Sequence, residues 1–197
     1  MEKENQRILL TKRLLKEAIL RLLKETDLDK ITVTELCREA GINRATFYRH
    51  YAIPKDVLAE VQNDLIYQMR QQIPIPKTME NLKPTIYALC VFMEQNKELL
   101  HLLIQCNTYT DFVHLVNDLF LEVWRDLHLS NYLKKLNQED MHLLALYTAG
   151  GSYFILRSWL LGGIRKSAEE MAEYIDDLLN RTELMTYGRI LGIPENQ

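Results

Sequence analysis

A chain of 197 residues with 24 Lys+Arg, 27 Asp+Glu and a formal net charge of −3 is long enough for one or two domains with a real core. Its 7 Gly and 5 Pro argue against sandwiches, barrels and other loop-rich folds, which need turn residues often. No apolar run approaches the roughly 18 residues of a membrane span. The charged start Met1–Arg13 lacks the apolar stretch and small-residue cleavage site of a secretory signal, so the expectation is a cytoplasmic chain.

The charge is uneven. Residues 1–51 carry 11 basic against 8 acidic side chains, a net of +3, and residues 52–197 carry a net of −6. A basic head on an acidic body suggests that the head alone meets a polyanion. Cys37, Cys90 and Cys106 fit no metal or redox spacing and sit among apolar neighbours, which reads as small buried hydrophobes. His101, His114, His128 and His142 form no i, i+4 pair, so no metal site or other cofactor is expected.

Helical periodicity runs through the whole chain. Ile8, Leu9, Leu14, Leu15, Ala18, Ile19, Leu22 and Leu23 share one stripe and predict an amphipathic helix over about 5–25. Thr32-Val33-Thr34-Glu35 reads as a capping box that opens a short helix over about 33–40, with Gly41 suited to its left-handed C-cap. Asn43 is a good N-cap for a third helix, about 44–50, and Pro54 suits the first turn of a fourth, about 54–72. Ile73-Pro74-Ile75-Pro76 forces that helix to end and marks a joint. Further helices are expected at about 79–95, 97–106, 110–128, 138–161 and 167–187, the last opened by a second capping box, Ser167 to Glu170. The fold class is therefore all-α with about nine helices. The expected domains are residues 1–53, with a helix-turn-helix at about 31–50, and residues 54–197.

Two short helices joined by Ala40-Gly41-Ile42-Asn43 suit a helix-turn-helix, in which the second helix lies in the DNA major groove. The chemistry of that second helix fits. Arg44 can give two hydrogen bonds to a guanine edge, and the methyls of Ala45 and Thr46 can pack on a thymine methyl. Tyr48 and His50 can donate to phosphate. Phe47, with Leu36, Ala40 and Ile42, would form the small core behind. Arg49 is either a contact or a solvated residue, and Thr34 either touches phosphate or only supports the helix start. Thr32 and Lys55 complete the candidate DNA-binding set.

These residues resemble the TetR/AcrR (tetracycline-repressor-like) family of bacterial transcription regulators. The likeness covers about residues 11–58. It runs through Thr11-Lys12-Arg13, Ile31-Thr32-Val33-Thr34-Glu35-Leu36, Ala40-Gly41-Ile42-Asn43 and Ala45-Thr46-Phe47-Tyr48-Arg49-His50-Tyr51. The family places a phosphate-contacting Lys where this chain has Pro54; Lys55 is the next cation. The resemblance implies a C-terminal helical body that forms a homodimer, holds a small apolar or aromatic effector and acts on a palindromic double-stranded operator.

The sequence adds candidates for both roles of that body. Ala145, Ala149, Ser152, Leu156 and Trp159 recur at helical spacing around the small run Thr148-Ala149-Gly150-Gly151-Ser152, and the last helix carries Met171, Ile175, Leu178, Leu179 and Met185. Two helix-interior glycines cost roughly 1 kcal/mol each against Ala, which close approach of another helix would offset. These residues read either as an intramolecular core or, as the resemblance implies for the last two helices, as a dimer interface of Ala149, Ser152, Leu156, Trp159, Met171, Ile175 and Leu178. Candidates for an effector pocket are Tyr87, Cys90, Met93, Leu103, Cys106, Phe120, Trp124 and Tyr147, from a wider aromatic and sulfur set that includes Phe92, Tyr153 and Phe154.

Three functions follow in order. The first is a dimeric repressor released by a small molecule. The second is a family member that needs no inducer, activates, or acts through a protein partner. An enzyme comes last, since the chain has no Gly-rich phosphate loop, HExxH or Gly-x-Ser-x-Gly motif.

Overall fold

The computed structural model describes residues 2–74, 82–105, 137–162 and 165–190. All regular structure among these residues is helical. In chain order the helices are α1 (Glu2–Leu22), α2 (Val33–Ala40), α3 (Arg44–Tyr48), α4 (Pro54–Gln72), α5 (Lys83–Gln95), α6 (Lys97–Gln105), α7 (Gln138–Leu160) and α8 (Ala168–Ile190), with a 3-10 turn at Leu28–Lys30. The helix expected at 110–128 lies outside the described residues.

The ends follow local chemistry. α5 starts at Lys83 rather than near 79 because Pro84, which cannot donate to a preceding turn, is tolerated only in a helix's first turn. α4 lacks a polar N-cap; instead Asp56 Oδ2 accepts from the amides of Ala52 (2.8 Å) and Ile53 (3.0 Å), satisfying two donors from the third helical position. At the start of α8 the Ser167 amide donates to Glu170 Oε2 (2.8 Å) and the Glu170 amide to Ser167 Oγ (3.2 Å), the expected reciprocal box.

Contacts divide the chain into Met1–Gln68 with His101–Phe112, and Met69–Leu100 with Val113–Gln197. The division falls inside α4. The first three-quarters of α4 packs with the head: Val57, Leu58, Val61 and Leu65 are buried together with Leu15, Ala18, Ile19 and Leu23 of α1, Leu36, Cys37 and Ala40 of α2, and Phe47 of α3. Full burial of each large apolar side chain contributes roughly 1.5–3 kcal/mol. Leu9 departs from the expected stripe. It is 62% exposed, and its neighbour Leu10 is exposed too.

In the second unit α5 packs chiefly on α8. Ile86, Cys90, Leu156, Trp159, Ala168, Met171, Ala172 and Ile175 form one buried cluster. Trp159 Nε1 donates to the Lys166 carbonyl (2.8 Å), which satisfies the indole and ties the α7 end to the segment before α8. On the surface of this unit Lys83 pairs with Glu173 across α5 and α8 at 3.1 Å.

Candidate nucleic-acid interface

The helix-turn-helix is assembled by four local devices. Thr32 Oγ1 accepts from the Glu35 amide (3.2 Å) while Glu35 Oε2 accepts from the Thr32 amide (3.0 Å) and hydroxyl (2.8 Å). These bonds, led by the one from the Thr32 amide, hold the Glu35 carboxyl below its ordinary range. Thr32 thus gives its only hydroxyl proton to Glu35, and the structure places it as a cap. Gly41 has φ +67, and its amide donates to Arg38 O (3.3 Å) while Ile42 N donates to Cys37 O (2.9 Å). That is a Schellman closure, and it sets the turn angle. Asn43 Oδ1 then accepts from the Thr46 amide at 2.7 Å and starts α3.

The fourth device ends α3 sooner than the sequence suggests, at Tyr48 rather than residue 50. The amides of His50 (2.9 Å) and Tyr51 (3.0 Å) both donate to Phe47 O, which tightens the exit and turns Tyr51 inward. Phe47 is fully buried; its ring meets Tyr48 edge-on at 5.5 Å and Tyr51 at 5.8 Å. The opposite side of α3 faces solvent. Arg44, Ala45, Tyr48 and Arg49 are exposed, and Thr46 and His50 are half-buried. The Arg44 guanidinium sits 6.0 Å above the Tyr48 ring, and its Nη2 lies 3.5 Å from Tyr48 Oη, at the limit of a hydrogen bond. Thr34 is exposed in the first turn of α2 and Lys55 in the first turn of α4. A cation at a helix N-terminus is unfavourable by itself, so Lys55 is better placed for an incoming anion than for its own helix.

Sequence reasoning missed the charge cluster behind this face. Glu60 Oε2 accepts from Tyr51 Oη (2.7 Å) and Lys12 Nζ (3.0 Å), Glu60 Oε1 lies 2.8 Å from Lys16 Nζ, and Lys16 also reaches Asp64 Oδ2 at 2.5 Å. Lys12 Nζ stands 5.6 Å over the Tyr51 ring. Partial burial would raise the Glu60 carboxyl, but the bonds from Lys16, Tyr51 and Lys12 outweigh it and bring it down to about 2. Burial opposes the charge on Lys16 as well, and the two carboxylates overcome that and raise it. Burial, then the carboxylate of Glu60, raise the Tyr51 phenol. The signal was present as two i, i+4 pairs of opposite sign, Lys12/Lys16 and Glu60/Asp64, separated by 48 residues.

A family model for bacterial regulatory proteins of the tetR family matches residues 15–61, the span just described, and one for a transcriptional regulator C-terminal region matches residues 80–181. The chain belongs to the TetR family. It is a DNA-binding transcriptional regulator by that membership. Solved structures carry the same fold. A TetR transcriptional regulator from Streptococcus agalactiae 2603V is 21% identical with a TM-score of 0.65, covering 90% of this chain and 98% of that one. The dihydroxyacetone kinase operon activator DhaS is 18% identical (TM-score 0.56; 87% and 95% covered). The fatty acid degradation regulator FadR from Bacillus halodurans is 16% identical (TM-score 0.52; 86% and 94% covered). No curated protein matched the sequence.

Of the pocket candidates, Cys90 lies in the buried α5–α8 cluster, where burial pushes its thiol up to about 12, and Met93 packs against that cluster. Tyr87 and Tyr147 are exposed, Leu103 is buried in the first unit, and Cys106, Phe120 and Trp124 lie outside the described residues.

Ala149, Ser152, Leu156, Trp159, Met171 and Ile175 are buried within the single chain, and Leu178 is half-buried. They are already covered by their own chain and have little surface to offer a second copy. The outward side of α7 is the apolar one left open. Leu143, Leu146, Tyr147 and Phe154 are exposed, the last two at 68% and 65%, and nothing approaches within 4 Å of where a Cβ would stand on Gly150 or Gly151. Among the described residues no helix is long and apolar enough to cross a membrane, and no three His, Cys, Asp or Glu cluster as metal ligands.

Proposed function

We propose that this regulator is a cytoplasmic homodimeric repressor that reads a palindromic operator and is released by a small apolar or aromatic effector. The observation that carries the DNA-reading part is the open side of α3. Arg44, Ala45, Tyr48 and Arg49 project from a helix whose other side, Phe47, is fully buried, so the chain holds a rigid wedge with donors and a methyl outward. Arg44, Ala45 and Thr46 take the base edges; Tyr48, Arg49, His50, Lys55 and Thr34 take phosphates. Replacing Tyr48 and His50 together weakens binding to every sequence alike and flattens the salt dependence in a gel-shift titration. Unchanged affinity would remove both residues from the interface.

Support for the dimer comes from α7. Leu143, Tyr147, Gly151 and Phe154 recur at i, i+4, i+8 and i+11, a helical stripe of exposed apolar side chains with a bare backbone at its middle. A two-fold axis across that stripe lets two backbones approach at the glycines and covers both aromatic pairs. One helix-turn-helix spans only a few base pairs, and two heads on one axis supply the second half-site.

A second reading is that the chain acts without an inducer, as an activator or through a protein partner; Tyr87 and Tyr147 are exposed, and DhaS, similar in fold, is itself an operon activator. Thermal shift against a panel of hydrophobic compounds separates the two. A shift that grows with ligand concentration supports release by an effector, and a flat panel supports the second reading.

A further inference from the structure

We propose that Glu60 is a positioning residue for DNA reading: it holds the exit of the reading helix, through Tyr51, in register with α1 and α4. The inference rests on α3 being the reading helix and extends it to a residue that touches no DNA.

α3 has five residues and cannot fix its own orientation. Asn43 holds its start, and Phe47 and Tyr51 hold its end. Tyr51 is 7% exposed, yet it carries a hydroxyl that must find an acceptor or pay a desolvation penalty. Glu60 Oε2 is that acceptor at 2.7 Å. The same carboxylate takes Lys12 at 3.0 Å and Lys16 at 2.8 Å, so α1, the α3 exit and α4 converge on two oxygen atoms. The Lys12 ammonium over the Tyr51 ring closes the triangle. The Tyr51 amide donates to Phe47 O at 3.0 Å, as the His50 amide does at 2.9 Å, so the seat of Tyr51 fixes the direction in which α3 leaves the turn.

Charge makes the proposal separable from a plain electrostatic effect. Lys12, Lys16, Glu60 and Asp64 form a neutral set. Glu60→Gln leaves it at +1, which by Coulomb attraction alone tightens binding to any DNA. A positioning role predicts the opposite sign for the cognate site only.

The test uses the full chain and two fluorescent duplexes: one enriched by the wild-type chain in binding-site selection, and one of scrambled sequence with equal length and composition. Anisotropy titrations at several salt concentrations give both affinities. Glu60→Gln and Tyr51→Phe each lower affinity for the selected duplex about tenfold, the scale of a hydrogen bond to a charged group. Affinity for the scrambled duplex is unchanged in Tyr51→Phe and raised in Glu60→Gln. Glu60→Gln removes the charge that strengthens the Tyr51 bond and Tyr51→Phe removes the bond itself, so the double variant loses less than the sum of the two single losses. Tyr51→Phe keeps the buried ring, so it carries the test if Glu60→Gln is unfolded by circular dichroism. An unchanged ratio of the two affinities, an equal loss on both duplexes, or fully additive losses would overturn the proposal. A wild-type chain that enriches no duplex overturns the DNA-reading assignment beneath it instead.

Discussion

Acid should dissolve the Glu60 cluster in a measurable way. The Glu60 carboxyl falls from an ordinary 4.5 to about 2 in the folded chain. A carboxyl depressed by folding contributes stability that is fully present above the unfolded value, 4.5, and is lost as the pH falls towards 2. The full shift corresponds to about 3 kcal/mol. The Glu60 side chain is 27% exposed and its partners are partly solvated, so screening reduces this to about 1–2 kcal/mol. The perturbation is Glu60→Gln, which keeps the shape and removes the titration. Urea unfolding of both proteins at pH 7, 5, 4, 3 and 2.5 gives a stability gap at each pH, and other carboxyls cancel because both chains share them. The gap should be about 1–2 kcal/mol at pH 7 and 5, narrow from pH 4, and shrink most of the way by pH 2.5. A gap that is constant across the series would show that the carboxylate is not stabilised by Lys12, Lys16 and Tyr51.

Three further outcomes are expected. Arg44→Ala costs about 1–3 kcal/mol at the base pair it reads and flattens discrimination there, measured by binding-site selection with the variant; the same motif from both proteins would exclude Arg44 from base reading. Phe154→Glu, on the open side of α7, gives a folded monomer in light scattering, whereas Leu156→Glu unfolds the chain by placing a charge in the α5–α8 core; a folded dimer from Phe154→Glu would move the interface elsewhere. Gly41→Ala costs about 1–2 kcal/mol in thermal unfolding through its positive φ alone, since no atom lies within 4 Å of the added methyl; no loss would mean that the turn relaxes freely.

The parts of the fold legible in the sequence are those decided within three or four residues. Thr32 with Glu35, Ser167 with Glu170, Gly41, Asn43 and Pro54 each act on backbone groups one turn away, so residue type alone fixes where α2, α3, α4 and α8 begin and where α2 stops. The reading face was legible for the same reason. Once Phe47 is known to point in, helical spacing places Ala45, Tyr48 and Arg49 away from it, whereas Arg44, one turn before Phe47, is exposed because it stands at the helix start.

The faces of α7 were not legible. Its inward side carries Leu144, Ala149, Leu156 and Trp159, and its outward side Leu143, Leu146, Tyr147 and Phe154, so a 3.6-residue period finds an apolar stripe whichever way the helix is turned. Small residues at 148–152 suggested a partner for Ala149 and Ser152, yet these pack inside, and only Gly150 and Gly151 are left with open space. The Glu60 cluster was hidden differently. Each charge, taken along its own helix, reads as a solvated surface residue, and the acceptor for Tyr51 is defined only when α1 and α4 lie side by side.

These two failures bear on how the regulator can evolve its specificity. A five-residue helix contributes almost no stability of its own, so its direction is set by Asn43, Phe47 and Tyr51 and, behind Tyr51, by Glu60 and two lysines of another helix. On the proposed role of Glu60, a substitution at Lys12 or Lys16 is expected to alter what α3 presents to a groove without changing any residue on its face. An operator preference inferred from residues 44–50 alone would therefore miss part of its own cause, and chains with identical reading helices but different residues at 12, 16 and 60 should differ in how sharply they discriminate between sites.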